Sequence, residues 1–338
     1  MTATTAPDGP TDHRVAAYLR RTGVTDATRV EQLHGDASNR AYFRVTRRES
    51  PSLVLAVHPE PFDAGTLRQL VVGELFDRLA IPIPATFGHA GDLGILALED
   101  LGPDTLQDWL DVAERDPAPL YRQAIDLIVR LQQTGAPERE PAPPPFDIAF
   151  DHATLTRELT FFRAEFLGAY RRLTLSATQS HALDEEFASI AEDLAEEPRV
   201  LCHRDYHSRN LMVRHQRLVV IDFQDARMGP NTYDLVSLLR DCYVDLAPAL
   251  VTEMTDRFLA AIPRARRNRF QQRFDLMSVQ RHLKALGTFG HQIAVAERPA
   301  FESALPRTFR HLRGTLHTHD RFAQLLELLT PHLPELRM

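Results

Sequence analysis

Between Leu201 and Val213 the chain reads Leu-Cys-His-Arg-Asp-Tyr-His-Ser-Arg-Asn-Leu-Met-Val. A short apolar segment delivers Asp205, a polar loop follows, and Asn210 stands just before a second apolar segment. After a turn, Val219-Val220-Ile221-Asp222-Phe223 carries another carboxylate to the same end. An ionised carboxylate takes a proton from a hydroxyl, and hard oxygen donors are what Mg²⁺ prefers. Two carboxylates and a carboxamide at one hairpin therefore suit proton removal beside a divalent cation. An ordinary hairpin needs one Asp for turn geometry or one Asn for a positive φ, which is less than this set. His207 and Arg209 lie in the same loop, where they can meet developing negative charge; for Arg209 a structural ion pair is the competing expectation.

The elements that must position these groups are bounded by length and composition. With 338 residues of which 43% are hydrophobic, one large domain or two lobes with a substantial core are expected. A formal charge of −7 argues against a general polyanion binder, so no nucleic-acid partner is expected. Cys202 and Cys242 have no C-x-x-C spacing, which argues against a disulfide framework and a cysteine zinc site. Cys202 sits in an apolar strand and is expected to be a packed thiol. Met1 to Asp12 is polar and contains prolines, and no apolar run reaches membrane length, so a cytoplasmic protein without a membrane partner is expected. Lys284 is the only lysine in the chain. Any lysine-dependent chemistry must therefore use it.

Periodicity divides the chain unevenly. Residues 1–11 read as a disordered lead-in, and a helix follows up to Gly23. Strands at Arg29–Leu33 and Ala41–Val45 flank Gly35-Asp36-Ala37-Ser38-Asn39-Arg40. By default this is a hairpin loop; alternatively its small residues let backbone amides approach phosphate, with Ser38, Arg40 and Arg44 in reach of anionic oxygens. Ser52–Val57 reads as a buried strand, Ala64–Ala80 as a helix bearing Glu74, and Thr86–Gly88 and Gly94–Leu98 as two more strands. Glu99-Asp100-Leu101-Gly102 forms a natural hinge. Beyond it nearly everything is helical, including Thr105–Val112, Leu120–Gln133, His152–Tyr170, Ser176–Ala195, Ala249–Ala261 and Asn268–Ala296. Met228-Gly229-Pro230-Asn231 reads as a turn, with Asn231 or Thr232 capping a helix whose Leu235, Leu238, Leu239 and Cys242 share one face. Such segregation predicts an α+β protein: residues 1–99 as a small β-rich lobe with one main helix, and 100–338 as a helical lobe.

Taken together, the strand-rich first part, the Glu99-Asp100-Leu101 hinge, His203…Asp205…Asn210 and Ile221-Asp222-Phe223 resemble the aminoglycoside phosphotransferase/kinase-like family. Asp222-Phe223-Gln224-Asp225-Ala226, Gly229-Pro230 with Thr232-Tyr233-Asp234, and Gln280-Arg281-His282-Leu283-Lys284 are similar to marks of one subgroup, as is Gly35-Asp36-Ala37-Ser38 with Arg40, Tyr42, Phe43 and Arg44. That subgroup comprises the cell-wall-recycling kinases that phosphorylate N-acetylmuramate and N-acetylglucosamine at the anomeric hydroxyl. The likeness spans roughly residues 30–310. One departure from the wider family is clear. Kinases commonly place a lysine on the third strand, paired with a helix glutamate, to hold nucleotide phosphates. Here Ala56 or a neighbour fills that slot and Glu74 has no lysine partner, which disfavours a protein kinase and leaves Arg40 or Arg44 as candidate substitutes.

The resemblance implies a bilobal protein-kinase-like fold and a kinase using ATP and Mg²⁺. Asp205 would be the base, Asn210 and Asp222 the metal ligands, and the backbone of Glu99 and Leu101 the adenine contact, with Asp234 bracing the loop. Arg281 and Lys284, on one helix face, are candidates for the acceptor wall together with Arg240 and Asp241; an Asp241–Arg281 salt bridge is the plainer expectation. Glu158 is a candidate contact to sugar hydroxyls, or else a surface glutamate. A monomer with a small-molecule substrate is expected. Two alternatives stay open: a kinase for another hydroxylated metabolite or an aminoglycoside, and a pseudokinase-like nucleotide-binding module.

Overall fold

Alternation dictates the first sheet. Phe43 and Val45 on one strand and Leu53, Leu55 and Val57 on the next turn their side chains to one face, where Ile95 and Ala97 join them. In a computed structural model, which describes residues 10–33, 40–112, 114–135, 141–267 and 269–338, that face packs against Val15 and Tyr18 of helix α1 (Pro10–Arg21). The sheet contains β1 (Ala27–Leu33), β2 (Ala41–Arg47), β3 (Leu53–Val57), β4 (Thr86–Ala90) and β5 (Ile95–Glu99), in the order β1-β2-β3-β5-β4. All its pairs are antiparallel, and Phe43, Leu55 and Ala97 lie abreast. Its opposite face carries Ala56, Leu96 and Leu98 under Phe62 and Leu70. The expected loop containing Gly35, Asp36, Ala37 and Ser38 lies outside the described residues, as does the lead-in before Pro10.

Helix α2 spans Arg68–Arg78 rather than beginning at Ala64, because Asp63 accepts the Gly65 amide at 2.7 Å and sets a turn there. Its buried Phe76 meets Phe223 at 5.3 Å between ring centroids, which anchors the residue next to Asp222. Segments 212–215 and 219–224 belong to the same compact unit as the described residues up to Asp104.

The second unit is mainly helical. Helix α3 (Leu106–Leu110) starts at a reciprocal cap between Thr105 and Asp108, and α4 covers Ala118–Gln132. Helix α5 (His152–Phe161) is capped by Asp151, and α6 (Ala177–Ala195) by the pair Ser176 and Gln179. Strand β6 (Arg199–Cys202) belongs to this unit; it is followed in the chain by a two-stranded sheet of β7 (Leu211–Arg214) and β8 (Arg217–Val220), of which 212–214 and 219–220 belong to the first unit. Then come β9 (Arg227–Pro230), α7 (Tyr233–Leu239), α8 (Pro248–Ala261), α9 (Phe270–Ala294), α10 (Leu305–Leu316) and α11 (Ala323–Leu329). Among the described residues no helix is long and apolar enough to cross a membrane.

Three local expectations give way. Of the turn expected at Met228-Gly229-Pro230-Asn231 only Asn231 lies in one; Arg227–Pro230 is a strand, pairing antiparallel with β6 from Arg199↔Pro230 to Cys202↔Arg227. Gly229 permits this: a Cβ there would lie 2.7 Å from the Phe150 ring. Thr232 occupies the cap position of α7, yet its hydroxyl donates to Glu197 at 3.1 Å instead of capping the helix. The expected helix His152–Tyr170 changes its winding at Phe162 and continues as a π-helix to Tyr170.

Helix α9 lies against that π-helical stretch at close range. A Cβ on Gly287 would stand 2.9 Å from Phe162 Cα, and one on Gly290 would stand 2.8 Å from the Glu165 carbonyl oxygen. In an exposed helix, Gly to Ala gains about 1 kcal/mol from propensity. Here the added methyl meets backbone, which cannot swing aside. Gly290→Ala is therefore expected to lower stability by about 1–3 kcal/mol, as overpacking does. Urea denaturation measures it, and an unchanged or higher midpoint would show that the two helices can separate without cost.

Candidate active site

The loop after β6 is shaped by two buried aspartates. At the first turn of α7, Asp234 accepts the His203 amide at 2.7 Å and the Arg204 amide at 3.0 Å, one on each carboxylate oxygen. Arg204 is thereby held at φ 87°, a left-handed conformation that non-glycine residues seldom adopt. Burial pushes the Asp234 pKa up, against the opposing pull of His203 and the two amides. Past the C-terminus of α7, Asp241 accepts the Ser208 and Tyr243 amides, each at 2.8 Å. The Asn210 amide group closes the loop by donating from Nδ2 to the Asp205 carbonyl at 2.9 Å. Tyr206, fully buried, donates its hydroxyl to the Ala124 carbonyl at 3.1 Å.

The Asp205 side chain emerges among cations. Lys284 Nζ lies 3.2 Å and Arg281 Nη1 3.9 Å from Oδ1, while Arg204 Nε lies 3.8 Å from Oδ2. Burial by itself would raise the carboxyl pKa. The charges of Lys284, Arg204 and Arg281 more than reverse this and hold it well below the usual carboxylate range. Asp205 is thus ionised at any ordinary pH. His207 shows the opposite balance: burial lowers its pKa, and despite the attraction of Asp205 it comes down to about 3. Its ring is neutral at neutral pH, so it can serve as a hydrogen-bond donor but not as a cation.

The surrounding residues are fixed in their turn. Arg281 donates to Tyr233 Oη at 2.9 Å and lies 4.7 Å over that ring, which stacks on Phe150 at 4.2 Å. Arg204 reaches Asp225 at 3.0 Å, and Arg227 meets the same carboxylate at 3.6 Å. Half-buried Glu158 accepts from Gln280 Nε2 at 2.8 Å, one residue before Arg281 on α9. Arg209 donates to Gln107 at 2.8 Å and lies 3.9 Å over the Tyr243 ring. The Asp241–Arg281 bridge is replaced: amides take both Asp241 oxygens, and Arg281 turns to Tyr233 and Asp205. That leaves Asp241, 2% exposed, as a brace for the loop instead of an acceptor wall. Arg240 lies 4.0 Å from Asp275.

Asp222, Arg40, Arg44, Glu99 and Leu101 belong to the first unit. Asp222 has φ 60°, accepts from Gln224 Nε2 at 2.7 Å, and lies 3.6 Å from Arg40 Nη2. Arg40 also donates to Gln69 at 2.7 Å. Arg44 forms a two-pronged pair with Asp100 at 2.8 and 2.9 Å, which Ser52 and the Gly102 amide join. Its guanidinium is therefore engaged at the Glu99–Gly102 segment, and Arg40 is the better candidate for the missing lysine's charge. Ala56 is fully buried, and Glu74 is exposed. The Glu99 carboxylate meets Arg214 and accepts the Ala85 amide. Ser38 lies outside the described residues. Among those residues no cluster of three or more His, Cys, Asp or Glu could hold a metal, so a cation here depends on isolated oxygen donors.

Three features escaped sequence reasoning: the cationic ring of Arg204, Arg281 and Lys284, the brace by Asp241, and the Gln280–Glu158 contact. The spacing of Gln280, Arg281 and Lys284 on one helix face was the available signal for two of them. For Asp241 none was present.

Comparison with known proteins identifies the family. A family model described as the phosphotransferase enzyme family matches residues 29–269. N-acetylmuramate/N-acetylglucosamine kinases of Neisseria meningitidis and Pseudomonas putida are each 32% identical, covering 87% and 91% of this chain and 87% and 89% of their own. Among solved structures, an ADP-bound aminoglycoside phosphotransferase aligns with TM-score 0.59 at 14% identity, over 88% of this chain and 96% of its own. A choline/ethanolamine kinase family protein from Mesorhizobium loti aligns with TM-score 0.61 at 16% identity, over 97% and 98%. Similarity at that level extends the likeness to the kinase fold and no further.

The two amides held by Asp234 generate a prediction. Asp234→Asn keeps one acceptor oxygen and loses the other. Stability is expected to fall by about 1–3 kcal/mol, the cost of an unsatisfied buried donor. Amide exchange at His203 or Arg204 should accelerate at the same time. Unchanged protection at both, measured by hydrogen exchange, would mean the loop is held by other means.

Proposed function

The chain belongs to the phosphotransferase enzyme family, and from that premise we propose that it is an ATP-dependent kinase for the anomeric C1 hydroxyl of N-acetylmuramate and N-acetylglucosamine, serving peptidoglycan recycling. The relatives named for those sugars supply the acceptor. The observation that carries the choice is the ring of Lys284, Arg204 and Arg281 around Asp205. A polycationic aminoglycoside would meet three like charges at the base, whereas a neutral sugar, or one bearing a carboxylate, would not. Acting on a small molecule with ATP, it is expected to be a cytoplasmic monomer.

Phosphoryl transfer depends on positioning and charge neutralisation more than on covalent help. Asp205 orients the acceptor hydroxyl and takes its proton late, a role suited to a carboxylate held ionised and only weakly basic. Asn210 and Asp222 are the residues that would hold Mg²⁺. The chemistry of each donor fits by itself: Nδ2 of Asn210 is occupied by the Asp205 carbonyl, which leaves Oδ1 as its remaining acceptor, and the Asp222 carboxylate would offer hard oxygen. When bound, the cation neutralises charge on the ATP phosphates. Arg40, beside Asp222, is assigned to the phosphates in place of the absent lysine. Neutral His207 and, from its place over Tyr243, Arg209 contribute a donor and a positive charge near the transferring group. The backbone of Glu99 and Leu101 is assigned to adenine. Arg281 and Glu158 are assigned to the acceptor side, and Lys284 to the base itself.

Incubation with Mg-ATP and either sugar should give an acid-labile 1-phosphate. A C6 phosphate, or kanamycin consumed in preference to both sugars, would refute the assignment. Asp205→Asn is expected to lower kcat about a hundredfold or more, the usual scale of lost general-base help. Near-normal turnover would remove Asp205 from that role. Asn210→Ala should raise the Mg²⁺ concentration for half-maximal rate by about tenfold or more, as loss of a ligand does. An unchanged Mg²⁺ dependence would show that Asn210 is not a ligand.

A further inference from the structure

The two oxygens of Asp205 are not equivalent. Oδ1 receives a hydrogen bond from Lys284 Nζ at 3.2 Å, with Arg281 Nη1 behind it at 3.9 Å. Arg281 is already committed to Tyr233 Oη at 2.9 Å and to the Arg204 carbonyl at 3.4 Å. Oδ2 lies 3.8 Å from Arg204 Nε, beyond hydrogen-bonding distance, and that guanidinium directs Nη1 to Asp225. Among the described residues, Oδ2 accepts no hydrogen bond. A carboxylate can turn about its last bond, so an acceptor hydroxyl has a single target only if something stops that rotation.

Resting on the reading of Asp205 as the base, we infer that Lys284 is a positioning residue: by pinning Oδ1 it presents Oδ2 to the acceptor hydroxyl and decides which oxygen takes the proton. The acceptor oxygen bonds to the γ-phosphorus of ATP while the bond from that phosphorus to the bridging oxygen breaks and ADP leaves. The acceptor's proton passes to Oδ2 and from there to water. Only 17% of the Lys284 side chain is exposed, and the charged groups facing it are Asp205, Arg281, Glu158 and Arg204. Burial lowers its pKa and Asp205 opposes that, so each member of the pair keeps the other charged. An ammonium is a compact point charge that meets one oxygen; a guanidinium forks across two and would occupy Oδ2 as well.

The test uses N-acetylglucosamine, which carries no carboxylate for Lys284 to bind. Lys284→Met should lower kcat about tenfold or more while the acceptor KM stays within about threefold, the signature of an interaction that matters in the transition state. Lys284→Arg should leave kcat as low as in Lys284→Met, because a forked guanidinium also covers Oδ2; full activity with arginine would overturn the inference. A KM raised about tenfold with kcat unchanged would make Lys284 an acceptor contact and overturn the inference. A second measurement is independent of turnover and of the stability of the lysine variants. With ¹³C-labelled lysine the chain gives one ε-methylene signal from its one lysine. Asp205→Asn should shift that signal and lower its titration midpoint. A signal that Asp205→Asn leaves unmoved would mean the pair does not form in solution, and the inference falls. If the signal moves but neither sugar is phosphorylated, the pinning stands and the acceptor reading is what fails.

Discussion

A carboxylate withdrawn from water and still required to carry its charge needs compensation close by, and the second unit is arranged to provide it for Asp205. Two residues of α9 and one of the loop itself bring positive charge within 4 Å of its oxygens. Each of those cations needs partners too. Arg281 rests on Tyr233, which rests on Phe150; Arg204 spans to Asp225. Removing any one partner would leave a charge buried without relief, which is far more costly than never having placed it there. The network is therefore maintained as a set.

Backbone geometry serves the same end. Asp234 and Asp241 use their carboxylates on loop amides rather than on cations, which lets Arg204 hold a left-handed conformation and aim its side chain back at Asp205. On the other side, the distance of α9 from the π-helical stretch is set by Gly287 and Gly290, where backbone meets backbone. Lys284 lies less than one turn before Gly287 on that helix. A fraction of an ångström in helix spacing therefore reaches the ammonium that touches the base, so packing and chemistry are coupled at this point.

In the first unit the same economy of charge explains a substitution. On β3, where kinases usually carry lysine, this chain has no lysine and Ala56 is buried, while Asp222 has Arg40 beside it. Arg44, equally plausible from the sequence, pairs with Asp100, because a carboxylate flanked by Ser52 and the Gly102 amide is a fully satisfied partner for a forked guanidinium. Arg40 stands just before β2 and Arg44 within it, and their neighbours distinguish them.

The sequence by itself determined the α+β segregation, the loop bearing Asp205 and Asn210, the start of α3 at Thr105, and the packed state of the Cys202 thiol, because each follows from local periodicity, local spacing or a side chain reaching its own neighbours. It also singled out Arg281 and Lys284 by their helical spacing. The tertiary structure alone decided that Lys284 holds Oδ1 of Asp205, that Asp241 braces the loop, that Arg227–Pro230 joins β6 as a strand, and that a helix winds into a π-helix at Phe162. Each depends on a partner dozens of residues away, and a charge, an amide or a glycine carries no local mark of which distant group will meet it. The type of chemistry was legible because it resides in one short stretch, whereas the orientation of the base was not, because it is imposed from a helix some eighty residues further on.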